Sequence, residues 1–248
     1  MTSRSSARIL LASSVLLLVA CSQGTPSSDA DPAPAAKEAK KDGEKKPNDK
    51  KRDEKKSAPT EETAADGAAK VEANAETPVN LLNAPTSFTF EEREYPLAWS
   101  SHPSAEDYLM EYVPAGENLD RFDHMIMLEA QLNSVDPAKA VESLVTMLEE
   151  RRGTDPVVNY ALIQNEATGE YVIDFVMSDG DTVEWSAYRY APLSIDGRSG
   201  TLLFGVSERG YEGGSFTPDM LLESLNQTRS AKIEALTRLE LPTVKPVD

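Results

Sequence analysis

The 248-residue chain has one cysteine, Cys21, and two histidines, His102 and His124. A lone thiol closes no disulfide within the chain, and with two histidines it cannot supply the four ligands of a Cys/His zinc site. No uninterrupted apolar run approaches the roughly 20 residues that a membrane-spanning helix needs. Basic residues are scarce in the C-terminal two thirds, where residues 85–248 hold 12 Lys plus Arg against 29 Asp plus Glu, a net of −17. Such a balance excludes binding to nucleic acid or to an anionic membrane by charge.

Familiar catalytic patterns are missing as well. There is no HExxH pair, no GxGxxG, and no phosphate loop, since GRSGTLLFG lacks the required lysine. Ser199 in GRSG and Ser207 in GVSERG have neither the GxSxG spacing nor a following helix, so neither reads as a nucleophile on an elbow. Acid pairs are too plentiful in this chain for any two to stand out as a glycosidase dyad. The stretch SDGDTVE puts Val183 and Glu184 where a calcium loop needs an oxygen ligand and glycine, and Asp-Gly turn chemistry accounts for it fully. No catalytic residue, metal or cofactor is assigned.

What is present begins at the N-terminus. Arg4 and Arg8 precede an apolar stretch from Ile9 to Val19, followed by Ala20 and Cys21. This is the layout of a secretory signal. Leu18, Val19, Ala20 and Cys21 resemble the lipobox of bacterial lipoprotein precursors. That resemblance implies cleavage before Cys21 by the lipoprotein signal peptidase, diacylglyceryl modification of its sulfur and, in many organisms, acylation (palmitate or a similar chain) of the new N-terminus. Two or three acyl chains, at about 0.8 kcal/mol per buried methylene, make a durable membrane anchor where one does not. Ser22 stands where aspartate would resemble an inner-membrane retention signal, so the resemblance implies the outer membrane, facing the periplasm.

Composition then divides the rest. Residues 1–20 read as the signal peptide and 21–84 as the lipidated cysteine with a disordered linker rich in Ala, Lys, Glu and Pro. Chains so poor in apolar side chains bury too little surface to offset their ordering entropy. The 63 residues from 22 to 84 span on the order of 45 Å as a coil. Lys37 to Lys56 carries ten basic and six acidic residues, a net of about +4, and reads as a solvated spacer. Residues 85–248 are a natural size for one domain.

Within that domain two helices are marked by their ends. Asp136 and Pro137 form a cap and first turn ahead of Val141, Leu144, Val145 and Leu148, and Arg151, Arg152 and Gly153 close the helix. A second opens at Thr217 and Pro218, carries Met220, Leu221, Leu222 and Leu225, then Ile233, Leu236 and Leu239, and stops before Pro242. NQTRSAK between the two apolar groups is a candidate bend or break. Strand-forming runs flank the first helix: SFTF, YPLAWS, YLMEYV and MIMLEAQ before it, VVNYALIQ, EYVIDFVM, TVEWSAYRY and GTLLFGVS after it. The two middle runs of the second set form a hairpin at Ser178–Asp181, and a longer loop around Asp196, Gly197 and Gly200 precedes the last. The expected fold is α+β, an antiparallel sheet of about 6–8 strands in a long meander with two main helices. In element order it resembles the Mog1/PsbP-like fold of several small exported or lipidated proteins, an architectural likeness that implies no activity.

One cluster suggests binding. Trp185, Tyr188, Arg189 and Tyr190 lie close together, with Arg209 and Tyr211 near the end of the next strand. Alternation sends Glu184, Ser186, Tyr188 and Tyr190 to one face and Trp185, Ala187 and Arg189 to the other. One face packs on helices; the other either offers the aromatic and arginine chemistry of binding hot spots or is structural, with Trp185 in the core, the tyrosines flanking the sheet and Arg189 and Arg209 paired with carboxylates. His102 and His124 read as plain polar residues. The expectation is a non-catalytic cell-envelope lipoprotein whose periplasmic domain binds an envelope protein or cell-wall component. The alternatives are an inhibitor or immunity protein against a basic cell-wall-degrading enzyme and a hydrolase with an unidentified site.

Overall fold

The computed structural model describes residues 77–247. Cys21, the lipobox and most of the linker lie outside the described residues. Eight strands and two helices follow in the order β1 (Ser87–Phe90), β2 (Arg93–Ser104), β3 (Asp107–Tyr112), β4 (His124–Gln131), α1 (Pro137–Arg151), β5 (Asn159–Asn165), β6 (Glu170–Asp179), β7 (Thr182–Ile195), β8 (Arg198–Tyr211) and α2 (Pro218–Arg238). All strands join one antiparallel sheet in the order β1-β2-β3-β4-β8-β7-β6-β5. The fold is therefore α+β, two antiparallel meanders sewn together where β4 pairs with β8.

Turn chemistry sets the hairpins. Asp179 pairs with Thr182 around Gly180 (φ +61°), the first central residue of a two-residue turn, as a type II′ turn requires. Between β7 and β8 the link is shorter than composition suggests: Ile195 pairs with Arg198, and only Asp196 (φ +51°) and Gly197 (φ +81°) lie between. Pro192 disguises this run as loop. It fits because β6 ends opposite Tyr190, leaving residues 191–195 of β7 paired on one side only, where a missing N–H goes unneeded. Gly200 is required where β8 crosses β4, since a Cβ there would sit 1.7 Å from the Gln131 carbonyl oxygen.

The sheet curls. Phe88 on β1 meets Phe204 on β8 with ring centroids 5.1 Å apart, although β2, β3 and β4 lie between them. In a flat sheet those strands would be about 19 Å apart at about 4.8 Å per strand. Inside the curl lie Tyr112, Ile126, Leu128, Trp185 and Phe204, covered by Leu221, Leu225 and Leu236 of α2. The outer face carries Ile173, Phe175, Tyr188, Tyr190 and Leu203, covered by Val141, Leu144 and Leu148 of α1. Alternate residues of β6, β7 and β8 thus supply two cores on opposite faces.

Two expectations change at this level. The core starts before residue 85: Leu82 and Ala84 are buried, and the carbonyls of Leu81 and Leu82 accept from the N–H groups of Val247 and Lys245. The apolar residues that end the linker are thus the start of the folded unit. NQTRSAK does not divide α2, which runs unbroken over 21 residues. Its Arg229 is paired with Asp174, and its Lys232 is buried against Glu208 with the ammonium 5.6 Å from the Trp185 ring. Polar residues in that stretch dock on a charged part of the sheet rather than breaking the helix.

Candidate functional site

The residues singled out from the sequence are brought together, but inside the protein. On the α1 side, strand register sets Glu184 opposite Arg209 and Ser186 opposite Ser207. The Ser186 hydroxyl donates to Glu184 at 2.8 Å and lies 2.8 Å from the Ser207 hydroxyl, while Arg209 pairs with Glu184 and stacks 4.0 Å from the Phe122 ring. Tyr188 and Tyr190 sit beside this network in the α1 core, and burial pushes both phenols above their usual range. Burial works against the Arg209 charge, but Glu184 outweighs it and holds the guanidinium protonated more firmly than usual. Tyr211 is buried and donates to the Phe122 carbonyl at 2.7 Å.

On the α2 side, Trp185 is fully buried and its indole N–H donates to Asp174 at 3.3 Å. Arg189 bonds Glu170 at 2.9 Å and donates to the carbonyls of Leu236 (3.1 Å) and Leu239 (2.7 Å), closing the C-terminal end of α2. Both faces of β7 are covered because the two helices take opposite sides of the same three strands. Trp185, Tyr188, Tyr190 and Tyr211 are thus buried, and Arg189 and Arg209 are paired with Glu170 and Glu184, which is the structural alternative for this cluster.

These networks are also chemically satisfied. Neither histidine enters them: His102 stacks on Tyr108 at 4.2 Å, and His124 Nδ1 lies 2.6 Å from Arg93 and 3.2 Å from Glu117. Among the described residues no cluster of His, Cys, Asp and Glu has the arrangement of a metal site. Glu129, nearly fully buried on β4, has its carboxyl pushed up to about 7 by loss of hydration, against a hydrogen bond from Gln131 at 2.7 Å. It pairs across the sheet with Leu203, on the face covered by α1.

The surface that stands out is the sheet edge formed by β5. Its seven residues, NYALIQN, contain no ionisable acid or base of the Asp, Glu, Lys or Arg type. Every residue but Tyr160 is exposed, with Leu162 44% and Ile163 49% accessible. Leu162 pairs with Ile173 of the α1 face and Ile163 with Val172 of the α2 face, so the edge shows apolar surface on both sides. Beside Ile163 lies a hollow of about 140 Å³ floored by Val172 and closed by Glu170, Arg189 and Thr237. Tyr160 anchors the start of the strand, donating to Glu149 at 2.7 Å beneath the Arg152 guanidinium.

VVNYALIQ is legible in the sequence as a strand, but not as an exposed edge. Three consecutive apolar residues, Ala161 to Ile163, carry no mark in the sequence that tells an edge strand from one buried on both faces. Only the topology, which leaves β5 at the end of the order, makes that run an exposed edge. Its lack of charge was the available signal.

The chain belongs to the protein family whose model matches residues 82–241, a span from the buried Leu82 to beyond the end of α2. Among solved structures it is similar to LpqN of Mycobacterium tuberculosis, a protein described as involved in cell envelope biogenesis, with 9% identity and a TM-score of 0.29. The likeness covers 68% of this chain and 82% of that one. No curated protein matches it.

Proposed function

We propose that this chain is a lipid-anchored protein of the bacterial cell envelope, held at the periplasmic face of the outer membrane through Cys21. Its folded part is a non-catalytic binding module that engages a partner by strand addition at β5. The anchor rests on the LVAC box, the apolar signal before it and the absence of any other cysteine. The docking edge rests on one observation: β5 is a seven-residue, charge-free, two-sided apolar edge on a chain of net charge −17. Sheets ordinarily shield such an edge with Lys, Pro, bulges or a covering element, because its free N–H and C=O groups template pairing with another chain.

Membrane fractionation and in-cell crosslinking test this together. The wild-type chain is expected in the membrane fraction and Cys21→Ser in the soluble one. Leu162→Lys is expected to reduce crosslinked adducts at least tenfold while leaving the circular dichroism unchanged. Adducts recovered equally with Leu162→Lys would remove β5 from the reading.

The charge of residues 85–248 favours a second reading, in which the domain neutralises a basic wall-degrading enzyme. Under that reading binding weakens steeply as salt is raised.

A further inference from the structure

We infer that the occupant of the β5 edge is a second copy of this chain, paired antiparallel about a two-fold axis beside Leu162, so that two eight-stranded sheets become one. The inference rests on the reading of β5 as a docking edge and adds the partner.

The strand is complementary to itself. With Leu162 opposite Leu162, Ala161 faces Ile163, Tyr160 faces Gln164 and Asn159 faces Asn165. Every apolar side chain meets an apolar one, and the polar ends meet each other. A slip by one residue in either direction would set Leu162 against Ala161 or Ile163 and leave an end residue unpaired. Cross-strand pairs of this kind are what stabilise sheets, whereas like charges directly opposite oppose pairing.

Charge selects the same partner. Two copies of a chain of net −17 repel over most of their surfaces. β5 offers a stretch where they meet with no carboxylate in the strand, and Glu166 falls in the turn beyond it. The same absence leaves a basic partner nothing in the strand to recognise. Pairing would also cover both exposed side chains, bringing Leu162 against its mate on the α1 side and Ile163 against Ala161 of the other copy on the α2 side. The contact is isologous and closes on itself. Chain growth through the other end of the sheet is opposed because β1 is four residues long and curls onto the core through Phe88. Where both copies share a membrane surface, their raised effective concentration favours even a modest interface.

The test uses the full chain in a Cys21→Ser background, with single cysteines introduced in the strand. Under mild oxidation Leu162→Cys is expected to give a disulfide-linked dimer, with at least tenfold more product than Glu223→Cys on exposed α2. Ala161→Cys mixed with Ile163→Cys should crosslink more than either alone, which fixes the register. Sedimentation of the same chain without introduced cysteines should show dimer that strengthens as salt rises, because salt screens the repulsion between two acidic copies; Ile163→Glu should weaken it at least tenfold with the fold intact. A monomer at all concentrations and salts, with no linkage at residue 162, overturns the inference. If a photocrosslinker at residue 162 then captures a different envelope protein, the second copy fails while the docking edge stands. If it captures nothing, both fail.

Discussion

Trp185 lies with no accessible surface between Asp174, which accepts its indole N–H, and Lys232, whose ammonium faces its ring. Trp185→Ala is expected to destabilise the fold by about 3–5 kcal/mol, the cost of a large buried cavity, measured by urea unfolding. Lys232 is a sharper case because Glu208 and Glu91 both turn toward it. Removing the cation alone leaves Glu208 buried and unpaired, so Lys232→Met should cost about 3–5 kcal/mol, and adding Glu208→Leu should recover most of that. Glu129 contributes pH dependence. Its folded carboxyl titrates near 7 and its unfolded one near 4.5, so between those values the native state binds the extra proton. Stability from this group is full below the unfolded value and is lost as pH rises through about 7. Glu129→Gln should therefore leave stability near wild type at pH 4 and exceed it by about 1–3 kcal/mol at pH 8, read as the difference between two urea midpoint curves.

Elements show where sequence and structure part. Helix ends were legible because caps are local: Asp136 and Thr217 each accept from the backbone N–H three residues on, as their side chains dictate. The Gly180 turn was legible for the same reason. The length of β7 and β8 was not, because Pro192 is tolerated only where one neighbour is missing, and that depends on where β6 stops. The two-sided burial of β7 was likewise hidden, since periodicity assigns residues to faces without saying what covers each. Arg189 illustrates the consequence. In the sequence it reads as either a binding arginine or a partner for a carboxylate; it pairs with Glu170 and also closes α2 by donating to Leu236 and Leu239. Arg189→Met should cost about 1–3 kcal/mol and speed amide hydrogen exchange in the last turn of α2, leaving exchange in α1 unchanged.

Across the whole molecule, charge and edge work together. The chain carries a net charge of −17, and β5 is a seven-residue stretch of its surface without Asp, Glu, Lys or Arg. Anchoring through Cys21 would present the same edge in a crowded plane rather than in dilute solution. The charge imbalance was readable from residues alone; the edge was not, because a run such as Ala161 to Ile163 looks like core until the strand order places it last. The most direct measurement is crosslinking in intact cells from a photoreactive side chain replacing Leu162, compared with the same group replacing Glu223. The account predicts membrane-fraction adducts from position 162 that move to the soluble fraction when Cys21→Ser releases the chain, and few from position 223. Equal adducts from both positions, or none from 162, would contradict it.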